Sequence, residues 1–72
     1  MPRLKCTFRE FIEILERHKF WLERQDGSHR QYKDASGNRV TVAAHNMNDE
    51  IKPGTLESMI RQSGLPKKLF RK

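Results

Sequence analysis

The sequence predicts an α+β fold of order α-β-β-β-α: a three-stranded antiparallel sheet with two helices on one face. Three observations predict it. A capping box opens a run of apolar residues at helical spacing near the N-terminus. Two turn-forming clusters then separate three short segments rich in aromatic and β-branched residues. Finally, a Pro-Gly-Thr opening and a Gly-Leu-Pro closing frame a second helical stretch.

In the first element, Thr7-Phe8-Arg9-Glu10 places a hydroxyl where it accepts from the Glu10 N–H, while the Glu10 carboxylate reaches back to the Thr7 N–H. Phe8, Phe11, Ile12 and Leu15 then share one face, and the helix is expected to end near His18, whose ring suits the negative end of the helix dipole. Glu10, Glu13 and Glu16 make the other faces acidic. Phe20–Arg24 reads as the first strand, with Trp21 on the open side of the sheet or at its edge. Asp26-Gly27 is a tight-turn dipeptide and His29–Lys33 the return strand, with His29, Gln31 and Lys33 on one face and Arg30 and Tyr32 on the other. Asp34–Asn38 forms a second turn, and Arg39–Ala43 the third strand, with Val40 and Val42 toward the helices. A polar loop over 44–52 carries His45 and Met47. Pro53 opens the second helix, which buries Leu56, Met59 and Ile60 and ends in a Schellman motif at Gly64-Leu65, with Pro66 barring continuation.

Seventy-two residues, 35% of them apolar, make one domain with a thin core. Its extent is read as 1–72, with a core at about 7–65 and basic tails at both ends. The net charge is +6, yet residues 6–66 hold nine basic and nine acidic side chains. The whole excess lies in Arg3 and Lys5, then Lys67, Lys68, Arg71 and Lys72. Such tails attract phosphate or simply keep a small protein soluble, so charge does not choose between them. The one cysteine, Cys6, cannot form an internal disulfide, reads as a small residue flanking a helix, and suits a reducing compartment. No cluster has zinc-ligand spacing, no carboxylates pair as a metal site, and neither an apolar span of about 18 residues nor a leader pattern occurs. A soluble cytoplasmic protein without membrane attachment, metal or cofactor is expected.

The element order is similar to that of the double-stranded-RNA-binding domain, and the residues narrow the likeness. Arg24-Gln25-Asp26-Gly27-Ser28-His29, Arg39-Val40-Thr41-Val42, Lys52-Pro53-Gly54-Thr55-Leu56 and Ile60-Arg61-Gln62-Ser63-Gly64-Leu65 together resemble the HicA toxin family over roughly residues 7–65. The resemblance implies the toxin of a type II toxin–antitoxin system, an endoribonuclease that cleaves mRNA without a metal. It also implies a HicB-type antitoxin that masks the active site within a larger complex. The family's catalytic histidine in Gly-Ser-His carries onto His29. Two positions depart from the family pattern: Arg30 stands where a second histidine is common, and Val42-Ala43 where Val-Pro is common, which is expected to loosen the following loop.

Histidine suits this chemistry because its unperturbed pKa of about 6.5 lets it give or take a proton near neutral pH. RNA supplies its own nucleophile in the 2′-hydroxyl. The enzyme must remove that proton, stabilise charge on phosphorus and protonate the leaving 5′-oxygen. His29 is therefore the candidate general base, general acid, or both in turn. Ser28, Lys33, Arg24 and Arg39 are the candidate RNA contacts, and His45 the candidate second proton carrier. By default Lys33, Arg24 and Arg39 are solvated strand charges, and Trp21 packs on the antitoxin or on a neighbouring strand rather than stacking on a base. The alternative to an enzyme is a non-catalytic module of the same fold that binds RNA or the antitoxin.

Overall fold

A computed structural model describes residues 3–71, so Lys72, counted above with the basic C-terminus, lies outside the described residues. The order is α1 (Phe8–Arg17), β1 (Trp21–Asp26), β2 (His29–Lys33), β3 (Arg39–Ala43) and α2 (Pro53–Ser63), followed by a short 3₁₀ turn (Lys67–Phe70). The strands form one antiparallel sheet in the order β1-β2-β3. Phe11, Leu15, Val40, Val42 and Leu56 are fully buried between the sheet and the two helices, and the opposite face of the sheet stays open.

Helix α1 forms as its capping box predicts. The Glu10 N–H donates to Thr7 Oγ1 at 3.1 Å, and the Thr7 N–H to Glu10 Oε1 at 2.9 Å. The other two amides of its first turn are satisfied by the 44–52 loop: Phe8 N–H donates to the Asp49 carbonyl at 3.1 Å and Arg9 N–H to that of Met47 at 2.9 Å. Ile51 N–H adds a bond to the Cys6 carbonyl at 2.8 Å. The loop expected to be loosened by Ala43 is thus clamped to the helix start. His18 caps the other end, its Nδ1 lying 2.8 Å from the Ile14 carbonyl.

Both bonds of a Schellman closure are made at the end of α1, and one of the two at the end of α2, where the Gly64 N–H donates to the Arg61 carbonyl at 3.3 Å. Lys19 adopts φ 67°, its N–H donates to the Glu16 carbonyl at 3.2 Å, and Phe20 N–H donates to that of Leu15 at 3.0 Å. Phe20 and Leu15, the apolar pair of that motif, are both buried. This corrects the first strand: Phe20 closes the helix, so β1 starts one residue later than expected and runs to Asp26, two residues beyond Arg24. At the end of α2, Gly64 is left-handed as expected (φ 71°), but the Leu65 N–H goes to Ser63 Oγ at 3.0 Å. That hydroxyl in turn donates to the Ile60 carbonyl at 2.6 Å, which explains a buried serine in a thin core.

The C-terminal segment is likewise corrected. It is no free tail: Phe70 is 1% exposed and its ring stacks on that of Phe11 at 5.0 Å. The Lys5 N–H donates to the Phe70 carbonyl at 3.1 Å, and Leu4 bridges Arg71, so the two ends close on each other beside α1. Cys6 is buried in the same place, with Sγ 3.9 Å from the Phe70 carbonyl.

Candidate active site

The register of the sheet decides which side chains meet on its open face. Cross-strand partners share a face, so Asp26, His29 and Ala43 form one row, and Arg24, Gln31 and Thr41 the next. Trp21, Lys33 and Arg39 form the third. Plain alternation from Trp21 would send Arg24 and Asp26 to the helix side. A bulge between Leu22 and Arg24 removes that conflict, because two β1 residues then stand opposite one on β2. The bulge thereby brings Arg24 and Asp26 alongside His29.

The His29 backbone is held from both sides. The turn between β1 and β2 uses Gly27-Ser28 as its two central residues, with φ +60° at Gly27, so Asp26 ends a strand instead of opening the turn. Gln25 Nε2 donates to the Gly27 carbonyl at 3.3 Å, and Ala44 N–H to that of Ser28 at 3.1 Å. His29 itself is exposed, and its ring makes no hydrogen bond or ion pair among the described residues. Both ring nitrogens are therefore open to a ligand.

Arg24, Asp26, His29, Gln31 and Thr41 line a shallow hollow of about 300 Å³. Of the expected RNA contacts, only Arg24 lies there. Lys33 and Arg39 share the open face but sit at its far end, four residues along β2 from His29 or about 13 Å. There they flank one carboxylate: Glu23 Oε2 is 3.5 Å from Lys33 Nζ and 3.9 Å from an Arg39 guanidinium nitrogen. Ser28 is half-buried in the turn beside His29. His45 is exposed two residues past Ala43, the β3 partner of His29, and is not among the residues lining the hollow. Arg30 lies on the opposite face with Tyr32, as strand alternation requires.

The sequence alone does not point to Asp26 or Thr41, and strand alternation puts Gln31 on the open face without giving it a role. The face of Thr41 is legible, since Val40 and Val42 face the helices and leave it outward. Asp26 is hidden because Asp-Gly, instead of Gly-Ser, reads as the centre of the turn. Elsewhere, Asp34 organises the β2–β3 turn. Its carboxyl is held below its ordinary value chiefly by the Asn38 side-chain amide, with the Asn38 and Ser36 backbone amides adding to this.

Two helices pack under an open three-stranded sheet, and an exposed histidine at a hairpin entry lies in a solvent-facing hollow on that sheet. Residues 8–65 match the family model described as HicA toxin of bacterial toxin-antitoxin systems, and the chain belongs to that family. No individual curated protein matches the chain. Among the described residues, no helix is long and apolar enough to cross a membrane.

Proposed function

We propose that this toxin is a metal-independent endoribonuclease that cleaves mRNA in the cytoplasm, with His29 as its catalytic residue and a HicB-type antitoxin as its partner. The observation that carries the reading is the position of His29: exposed, without a partner for its ring among the described residues, and in a hollow shared with Arg24. A phosphodiester lying in that hollow meets a proton carrier and a cation together. The 2′-oxygen attacks the adjacent phosphorus as its proton is removed, the P–O5′ bond breaks, and the 5′-oxygen leaves with a proton. The products are a 2′,3′-cyclic phosphate and a free 5′-hydroxyl. His29 serves one or both proton transfers, Arg24 offsets charge on the phosphoryl oxygens, and Ser28, Lys33 and Arg39 contact the RNA on either side. His45 follows the strand end beside His29 and is the nearest further imidazole in sequence to that row.

The test is incubation of the purified protein with RNA in EDTA. Cleavage leaving 2′,3′-cyclic phosphate ends is expected, and His29→Ala is expected to lower the rate on the order of 10²–10⁴-fold, the contribution of a positioned proton transfer. Because His29 is exposed, the variant should melt like the wild type. Equal cleavage by a folded His29→Ala protein removes His29 from the mechanism, and binding without products favours a module that holds RNA without cutting it.

A further inference from the structure

On the catalytic side, the hollow offers RNA little net charge. The open face sets Arg24, Lys33 and Arg39 against Glu23 and Asp26, and Glu23 already engages two of the three cations. Affinity for a polyanion scales with the number of phosphates neutralised by free cations. An enzyme acting on long RNA from this face alone would hold it weakly.

The charge missing there is gathered elsewhere by the fold. All of the chain's positive excess lies in its ends, which are some sixty residues apart in sequence yet joined in space by the Leu4–Arg71 bridge and the Lys5–Phe70 hydrogen bond. Arg3 and Lys5 lie on one side of that junction. Arg71 lies on the other, directly after a 3₁₀ turn about 8 Å long that carries Lys67 and Lys68. All five side chains are exposed. Lys5 pairs with Glu50 at 3.8 Å, with both partners about half exposed, whereas among the described residues no ion pair occupies Lys67, Lys68 or Arg71. Glu10 and Glu13 share a hollow with Arg71, and Glu57 one with Lys67, but Arg17 and Arg61 line the same hollows and leave the surface net positive. Because Phe70 anchors the junction against Phe11 of α1, this surface belongs to the helical side of the domain, away from the open face of the sheet.

We propose that the joined chain ends form a second RNA-contacting surface, one that grips the phosphate backbone of a long substrate at a distance from the hollow. This rests on the reading of RNA as the substrate. The domain is 19 Å across in its shortest dimension, a span that takes a strand on the order of six nucleotides at about 3.4 Å per stacked step. The surface therefore acts on long RNA and is irrelevant to a dinucleotide. An acidic polypeptide is the competing partner, but the weak charge of the catalytic face favours RNA, since that face needs help from elsewhere and a protein partner supplies none.

The test uses the full chain and the variant Lys67→Gln/Lys68→Gln/Arg71→Gln, whose side chains are exposed and outside the core; unchanged thermal melting verifies the fold. Binding is measured across salt concentrations with a single-stranded RNA of about twenty nucleotides, 2′-O-methylated so that it cannot be cleaved. The salt slope is expected to fall by about 2, three lost contacts at roughly 0.7 each, with affinity near 0.1 M salt reduced on the order of 10–100-fold. With cleavable RNA of the same length, KM should rise while kcat holds, and a dinucleotide substrate should be cut as by the wild type. An unchanged slope and KM overturn the proposal. So does a variant that binds RNA normally while losing affinity for polyglutamate, which would assign the surface to an acidic protein. The two readings separate cleanly: a wild type that binds the RNA with a steep, variant-sensitive slope but never cleaves supports the surface and sinks the nuclease.

Discussion

Phe70→Ala tests whether the last residues belong to the folded body. The ring is 1% exposed and stacked on Phe11 at 5.0 Å. Its removal forfeits about 2 kcal/mol of apolar transfer and about 1 kcal/mol of ring–ring interaction, before any cavity left beside Phe11 and Cys6. A total of about 3–4 kcal/mol is expected, in line with the usual cost of deleting a buried phenylalanine. A domain of 72 residues has roughly 4–11 kcal/mol of stability, so the loss consumes a large share of it. Thermal unfolding followed by circular dichroism should show the midpoint lowered by about 12–32 °C, at about 4–8 °C per kcal/mol for a chain of this size. Phe70→Leu should recover more than half of the loss, and Lys68→Ala should cost nothing measurable. A midpoint within about 4 °C of the wild type for Phe70→Ala would show the segment to be a tail after all.

Other positions give sharper local tests. Lys19→Gly should raise stability by about 0.5–1 kcal/mol, since lysine at φ 67° bears a left-handed strain that glycine lacks; a lower melting temperature would refute the Schellman assignment. Gly64→Ala should act in the opposite direction by about 1 kcal/mol or more, because φ is 71° there and an added Cβ would sit 3.3 Å from the Asn38 amide. Asp34 has a depressed folded pKa, so its contribution to stability is complete above the ordinary value of 3.8 and fades as pH falls through the lower folded value. Melting temperature against pH should therefore fall more steeply below 3.8 for the wild type than for Asp34→Asn, and parallel curves would contradict this. Glu23→Gln frees Lys33 and Arg39, so RNA affinity should rise a few-fold at low salt and converge with the wild type at high salt; no change would mean that neither cation meets RNA.

Much of the fold was legible because local chemistry and the global arrangement agree. Thr7 and Glu10 mark the start of α1, Val40 and Val42 mark the buried face of β3, and His29–Lys33 keeps strict alternation. The misreadings came from positions where a general rule was overridden. Lysine rarely adopts a left-handed backbone, so nothing in Lys19-Phe20 announces a helix ending, and an aromatic after a helix looks like the start of a strand. Lys67-Lys68-Leu69-Phe70 is dominated by its charges, and only its partner at Phe11 shows that one ring is core. For the candidate site, the face of His29 was readable from alternation. Its neighbours Arg24 and Asp26 were not, because a bulge breaks the period on which that inference depends.

The bulge has a consequence for variation in length. Leu22 pairs with Tyr32 and Arg24 with Gln31, so Glu23 is the one residue of β1 that the hydrogen-bonded ladder does not count. A chain lacking it would run straight through, with every remaining cross-strand partner unchanged and Arg24 and Asp26 still beside His29. What would disappear is the carboxylate between Lys33 and Arg39. Along this strand, loss of a single codon would alter the grip on a polyanion while leaving the architecture that presents the histidine intact.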